Sequence, residues 1–347
     1  MKILVSDVWM LIPGLKRKGF IVLEDGEVKA YGDAPPEEYQ YAELVIGGDG
    51  RVLLAGFTYI GSIEPYPIRH LAVRLDPIEF LYSDIARRLA RVDPEKAYYS
   101  SLVALYELAL SGFTEVVAID PHPREIAEAM RKIGLHGAVL VPVGCSYQPP
   151  GWREALEAIT ESTGFKGIVR PGVMLCKNVS DMLDSVLSRY EDIIVFIDRN
   201  GFLETYWPTP KGFKRLRLSL KLSSRGYDLY GLGVLHYTSP FQALCQLAST
   251  IGVEEAYERL TVTPWSLLWG LKIPSSLVVI DIREPPCWVP KTELIDVSLL
   301  TTCMPRIETV ISKGNVVVDA GMGIEVGAAD VEKARPVLEE LAEVLGG

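Results

Sequence analysis

The stretch "VLLAGFTYIGSIE", Val52–Glu64, divides the sequence into two textures. Before it, short apolar runs alternate with turn signals in "KILVSDVWML", "GFIVLEDGEVKAYG" and "AELVIGGDGRVLL". Asp25-Gly26 and Asp49-Gly50 lie between apolar stretches, where glycine can take the positive φ of a tight hairpin, so residues 1–54 read as a small antiparallel sheet. After it, strands alternate with amphipathic helices, the mark of βα units around a parallel sheet.

"PEKAYYSSLVALYELALSG" reads as a helix with Pro94 in its first turn and Gly112 as its stop, followed by the strand "FTEVVAID". "PREIAEAMRKIG", "GWREALEAITESTG" and "NVSDMLDSVLSRYED" are further helices. "HGAVLVPVGC", "KGIVRPGVMLC" and "IIVFID" are strands, short and bounded as expected when both faces are buried. Beyond Asp198 the alternation thins to "LRLSLKLSS" and a last strand in "YDLYGLGVLHY", which gives seven or eight strands: a complete eight-fold barrel, or one with a βα unit shortened or missing. Helices in "SPFQALCQLASTIG" and "VEEAYERL" lead to strands in "SSLVVIDI" and "IETVISKGNVVVDAG", and residues 330–345 form a closing helix. The expected fold is α/β: a TIM-type (β/α) barrel over 55–272, with a small β-sandwich built from both chain ends, 1–54 and 273–347.

Composition narrows the function classes. The 347 residues are 48% hydrophobic and 23% charged, as in a packed globular protein. A formal charge of −10 speaks against general nucleic-acid binding, which needs clustered Lys and Arg. "KGFKRLRLSLK", residues 211–221, is a local exception with five basic residues, and its plain reading is a solvated strand face. No apolar run is long enough to cross a bilayer, and Asp7 interrupts "MKILVSDVW" too early for a signal peptide, so a cytoplasmic protein without membrane contact is expected. Cys145, Cys176, Cys245, Cys287 and Cys303 stand singly, which suggests buried small hydrophobes rather than a disulfide framework or a zinc site. Three Asn and four Gln in the whole chain hint at a hot-living source.

Three separated pieces resemble the amidohydrolase superfamily, in particular its dihydroorotase, hydantoinase and chlorohydrolase-like branches. "GFIVLEDGEVKAYG" with "VIGGDGRVLLAGF" is similar to the family's amino-terminal pattern. "LTVTPWSLLWGL" (260–271) resembles the segment that precedes the return to the small sheet, and "LVVIDIREP" with "IETVISKGNVVVDAG" resembles that return. The resemblance implies a barrel whose first strand ends in two metal-binding histidines, with histidines after strands five and six, an aspartate after strand eight and, in some members, a carboxylated lysine on strand four. At the matching positions this chain has Gly61 and Ile63, Asp198 after "IIVFID", no histidine in "LRLSLKLSS", and Leu235 in Gly233-Val234-Leu235. Lys166 or Lys177 flanks the fourth strand, but a carboxylated lysine makes sense only as a bridge between two metals. With His70, His122, His136 and His236 as its only histidines, the chain cannot assemble the family's imidazole-rich site, and no cofactor is expected.

Groups at the carboxyl ends of the strands are the remaining pocket candidates. They are Tyr59, Ser62 and Glu64; Asp120 and His122; Cys145 and Tyr147; Cys176 and Lys177; Asp198, Arg199 and Glu204; His236 and Tyr237. Asp120 and His122 form an acid/base pair or a helix cap. Cys145 is a nucleophile or an inert thiol, and Asp198-Arg199 a carboxylate clamp or an ion pair. Glu204, Tyr206 and Trp207 in "GFLETYWPTP" make a lid or simply an aromatic loop. Motifs for phosphate cradles, dinucleotides or a nucleophile elbow are missing.

The expectation is an amidohydrolase-like protein without the family's metal site, a non-hydrolytic binder of a small molecule or a protein partner that can also form homo-oligomers. The alternative is a hydrolase of cyclic amides or related non-peptide C–N bonds, working through a rearranged site with Asp198, Glu64, His122 or His236.

Overall fold

In the computed structural model, which describes residues 1–190, 192–271, 273–289 and 295–346, the strands follow the chain in three groups. The first is β1 (Lys2–Ile12), β2 (Leu15–Glu24), β3 (Glu27–Gly32), β4 (Leu44–Gly47) and β5 (Arg51–Ala55). The second is β6 (Phe57–Ser62), β7 (Phe113–Ile119), β8 (His136–Val143), β9 (Val169–Leu175), β10 (Ile194–Asp198), β11 (Leu203–Thr209), β12 (Gly212–Ser219), β13 (Leu229–Tyr230) and β14 (Gly233–Val234). The third is β15 (Leu277–Asp281), β16 (Arg306–Ser312), β17 (Asn315–Asp319) and β18 (Met322–Gly323). The principal helices are α1 (Pro94–Leu110), α2 (Pro123–Ile133), α3 (Trp152–Thr160), α4 (Leu183–Arg189), α5 (Pro240–Ile251), α6 (Val253–Leu260), α7 (Val262–Trp269) and α8 (Ala328–Gly346).

Contacts divide the chain into one unit of Met1–Thr58, Ala109–Glu115 and Ser239–Ile324, and another of Tyr59–Leu108, Val116–Thr238 and Glu325–Gly347. The division differs from the expected 1–54, 55–272 and 273–347. Helices α5, α6 and α7 group with the chain ends, α8 groups with the strands of the barrel, and Lys272 at the expected boundary lies outside the described residues.

In the first unit both chain ends enter one nine-stranded sheet, ordered β18-β17-β16-β15-β5-β1-β2-β3 with β4 on β1, and its hydrogen bonding does not split it into the two layers of a sandwich. Asp25 and Gly26, at φ 51° and 78°, close the β2–β3 hairpin as their turn chemistry demands. Asp49-Gly50 does something else. It joins β4 and β5, which both run parallel to β1, so the sheet is mixed rather than antiparallel. The ends meet where β5 pairs with β15, and Arg51 grips Glu308 with two hydrogen bonds of 2.5 and 2.7 Å. Phe57 lies edge-on to Phe241 and Tyr257, and the Tyr257 hydroxyl donates to the Leu11 carbonyl while accepting from the Ala55 N–H, both at 2.8 Å.

The second sheet has the order β13-β12-β11-β10-β9-β8-β7-β6-β14. Residues of β7 and β10 are buried along their whole length, as suits strands covered on both faces, the polar Thr114, Glu115 and Asp198 included. The βα alternation holds as far as β10. There the pattern changes, because β11 runs antiparallel to β10 and β12 antiparallel to β11, and no described helix lies between α4 and α5. The expected lid "GFLETYWPTP" is therefore mostly β11, and Trp207 is fully buried with its indole N–H on Thr205.

Residues 229–234 connect the two margins of this sheet. Leu229 and Tyr230 pair with β12, Gly233 and Val234 pair with β6, and between them Gly231 donates to the Ser219 carbonyl and Leu232 to that of Ile60.

Candidate functional site

At the strand ends where the sequence resemblance implies metal ligands, β6 and β14 are paired in parallel with Gly61 opposite Gly233 and Ser62 opposite Val234. A side chain at position 61 has no space. A Cβ there would lie 1.9 Å from the Gly233 carbonyl oxygen and 3.1 Å from the Tyr59 hydroxyl. Fully buried, that hydroxyl accepts from the Leu235 N–H at 2.9 Å and lies 3.0 Å from the Ser62 carbonyl, to which it donates. Burial raises the Tyr59 phenol far above its ordinary range, so it acts as a neutral hydrogen-bonding group. Leu235 is held at φ 54°, a left-handed conformation that leucine rarely adopts, and like Ile63 it is buried.

Beside this junction Asp120 collects donors. Its carboxyl accepts from Ser62 Oγ, the Tyr147 hydroxyl, the Ile63 N–H at 2.9 Å and the Glu64 N–H at 3.3 Å. Ser62 Oγ and the Tyr147 hydroxyl are themselves 2.7 Å apart. Complete burial, followed by the neighbouring Glu64 charge, lifts the Asp120 carboxyl well above the usual carboxylate range.

Glu64 is equally enclosed and belongs to His122. One carboxylate oxygen accepts the His122 backbone N–H at 2.9 Å, and the other lies 2.8 Å from Nδ1. Nε2 is 3.0 Å from the Val92 carbonyl, so both ring nitrogens face acceptors, which suits the imidazolium. Burial pushes the His122 ring down, but the Glu64 carboxylate outweighs it and the ring is pushed up to about 9.

A second group sits at the ends of β9 and β10. Asp198 accepts from the Tyr82 hydroxyl at 2.6 Å and from the Asn200 N–H at 2.9 Å, while the Lys177 N–H reaches the same hydroxyl at 3.2 Å. Arg199 pairs with Glu204 at 2.8 Å, and Arg215 binds the other oxygen of that carboxylate. His236 turns back on its own loop, accepting the Val234 N–H at 3.0 Å, and burial lowers its basicity.

Cys145 requires a correction. It is bonded to Cys176, and Cys287 to Cys303, which leaves Cys245 as the free cysteine. Single spacing along the chain hid this pairing, because Cys145 and Cys176 are brought together by the adjacent ends of β8 and β9. As a disulfide, Cys145 is no nucleophile.

The structure thus brings Tyr59, Ser62, Glu64, Asp120, His122 and Tyr147 into one connected cluster, and Lys177 with Asp198 into another. Tyr82, the Val92 carbonyl and Arg215 were not among the expected participants. Tyr82 lies in a turn with no motif, and only tertiary folding carries it to Asp198. A cavity of about 610 Å³ lies away from both clusters, against Phe165, Lys166, Arg170 and Tyr190 before the first residues of β9 and β10.

These donors do not fit a zinc ion. Position 61 cannot hold an imidazole, Ile63 and Leu235 offer no ligand atom, and the carboxyls of Asp120 and Glu64 are occupied by the hydrogen bonds above. Among the described residues no three His, Cys, Asp or Glu side chains converge as a metal site.

No protein-family model matches the chain. Over 151 residues it is 27% identical to the 5-methylthioadenosine/S-adenosylhomocysteine deaminase of Syntrophomonas wolfei subsp. wolfei (strain DSM 2245B / Goettingen); the match covers 42% of this chain and about a third, 34%, of that relative. Among solved structures it resembles a triazine hydrolase variant, with a TM-score of 0.69 at 11% identity, covering 97% of this chain and 99% of that one. It is also similar to the zinc complex of the atrazine chlorohydrolase of Arthrobacter aurescens TC1, with a TM-score of 0.67 at 11% identity over 97% and 100% of the chains. A zinc-bound adenosine deaminase from Xanthomonas campestris gives a TM-score of 0.66 at 11% identity over 98% of each.

The zinc in these neighbours overturns the expectation that no cofactor belongs here. They point to a metal cofactor for the fold, although the residues this chain presents at the strand ends do not match one. Nearly the whole length of the chain superposes on this triazine hydrolase, atrazine chlorohydrolase and adenosine deaminase, and it shares their fold.

Proposed function

We propose that the chain is an amidohydrolase-like protein whose strand-end metal site has been lost, and that it binds a small molecule or a protein partner without the hydrolysis typical of the fold. The observation that carries this reading is the β6–β14 junction, where the Gly233 carbonyl, with the Tyr59 hydroxyl beyond it, leaves no room for a ligand side chain at position 61. The enclosed Asp120 network supports it, since each polar group there is spent on a neighbour within the protein. The test is turnover. Protein supplied with zinc is offered hydantoin and dihydroorotate and, because of the deaminase relative, 5-methylthioadenosine and S-adenosylhomocysteine. No turnover above that of zinc-containing buffer is expected; turnover that is abolished by Asp120→Asn would overturn the reading.

One observation favours a second reading, hydrolysis of a cyclic amide or related C–N bond through a rearranged site. Burial and the neighbouring Glu64 charge raise the Asp120 carboxyl beside the Glu64–His122 pair, a shift in the direction a general acid needs. Here His122→Gln should lower any turnover sharply while leaving the fold intact.

A further inference from the structure

The most basic part of the chain is not at the strand ends. Between Arg199 and Asp228 there are seven Lys and Arg against two carboxylates, a local charge of +5, in a chain whose total of −10 leaves −15 for the remainder. This segment contains the β11–β12 hairpin that replaces the βα units. Its cross-strand pairs Tyr206↔Arg215 and Pro208↔Phe213 share one face, on which Arg215 is exposed and Tyr206, Pro208 and Phe213 are half-buried. Lys211, Lys214 and Arg225 are exposed as well.

One margin of the hairpin is open. β13 pairs with β12 only at Leu218 and Ser219. Just before them, the Arg217 N–H donates to Asp228 Oδ2 at 2.8 Å and the Arg217 carbonyl accepts from the Asp228 N–H at 2.9 Å, so the backbone groups of Arg217 point away from β11. The two-residue period of a strand turns those of Arg215 and Phe213 the same way. Pro208, which has no N–H to offer, stands opposite Phe213 and agrees with this phase. Among the described residues no strand covers that side of Phe213–Leu216. Beside it lies a hollow of about 330 Å³ lined by Phe202, Glu204, Arg215, Leu216, Arg217 and Asp228.

We propose that this margin of β12 is a docking edge for an extended acidic peptide segment, which adds as a strand to the backbone groups of Phe213 and Arg215 and sets its carboxylates against Lys211, Lys214 and Arg217. Lysines on an open edge discourage pairing with another apolar strand, and the same charges select an acidic one. The partner class deepens the binding role proposed above and rests on it, but the edge uses none of the residues of the Asp120 and Glu64–His122 network. Turnover at the strand ends would sink that role and leave this binding result unchanged.

The probe is a fluorescein-labelled peptide of alternating Glu and Val, about as long as β12, titrated with the full chain and followed by fluorescence anisotropy. Its Gln/Val counterpart serves as the neutral control. Binding of the acidic peptide alone is expected, weakening about tenfold in Lys211→Glu/Lys214→Glu and on raising salt from about 50 to about 300 mM. Phe213→Pro removes an outward N–H without touching the β11 ladder, and it should weaken binding by a similar factor while the lysine variant covers the case in which it fails to fold. The proposal is overturned if Phe213→Pro folds and binds as tightly as the parent, or if the neutral peptide binds equally well. Tighter binding of a single-stranded oligonucleotide, or a self-association that these substitutions abolish, would assign the edge to another occupant and overturn it too.

Discussion

Asp120 and Glu204 are both buried carboxyl groups with several donors, and they do opposite things. Asp120 is ringed by neutral donors, two hydroxyls and two backbone N–H groups, with the Glu64 charge beside it; burial and that charge raise it well above the usual carboxylate range. Glu204 is held by two guanidinium groups reaching in from solvent, Arg199 at 38% exposure and Arg215 at 69%. The first arrangement is closed and its donors are uncharged, so its strength should not depend on salt. The second lies open to water at its rim, so its charges remain available to a partner and are screened by ions. The difference teaches that a carboxyl's role in this chain follows from the kind of donor around it rather than from its depth.

The largest effect should come from forcing the family pattern onto the closed region. Gly61→His with Ile63→His and Leu235→Asp places side chains against the Gly233 carbonyl and polar groups where apolar ones pack, at a cost of more than about 4 kcal/mol. Thermal melting is the measurement, and a triple variant that melts no lower than the parent and binds zinc would break the comparison.

Next comes Asp120→Ala, which strands Ser62, Tyr147 and two backbone N–H groups and should cost about 3–5 kcal/mol by urea unfolding at low and high salt alike. Glu204→Gln should cost less and respond to salt. Equal losses with equal salt dependence would show that donor type is not the deciding variable.

Smaller still is a pH effect. The His122 ring is raised from 6.5 to about 9, so its share of the stability is complete below about pH 6.5 and fades as pH climbs through 9, on the order of 1–3 kcal/mol. His122→Gln should flatten that part of the urea-midpoint profile. In the other unit, burial pushes the Glu115 carboxyl up to about 7 against hydrogen bonds from Ser276 and Thr114. Its contribution is complete below about pH 4.5 and is lost as pH rises through 7, so Glu115→Gln should gain on the parent by about 1–3 kcal/mol above that pH. At the small end, Lys214→Glu at the exposed hairpin should move stability by no more than about 0.5 kcal/mol.

What could be read in the sequence was what depends on local chemistry. Asp25-Gly26 specified its hairpin because the positive φ values belong to the turn itself, and the buried strands through β10 declared themselves by composition. Asp49-Gly50 carried the same signal to a different outcome, since a third strand, β1, claimed both of its flanks. Of the β11–β12 hairpin, β12 was read as a strand in "LRLSLKLSS", while β11 was obscured by its aromatic and proline content, which suits a loop as well as an edge strand. For the site, Asp120 and His122 were legible as neighbours in sequence. Their partners were not, because Tyr147, Val92 and Glu64 reach them only through adjacent strand ends and loops. The disulfides escaped for the same reason.

Residues 229–234 serve two margins of the second sheet at once, through Gly231 to Ser219 and Leu232 to Ile60. Such a segment acts as a clasp. Its amides cannot be exposed by fraying from one margin alone, because each end is fastened to a different neighbour. Hydrogen exchange at Gly231 and Leu232 should accordingly proceed at one common, slow rate set by opening of the whole ring of strands, while the amides along the free margin of β12 exchange quickly.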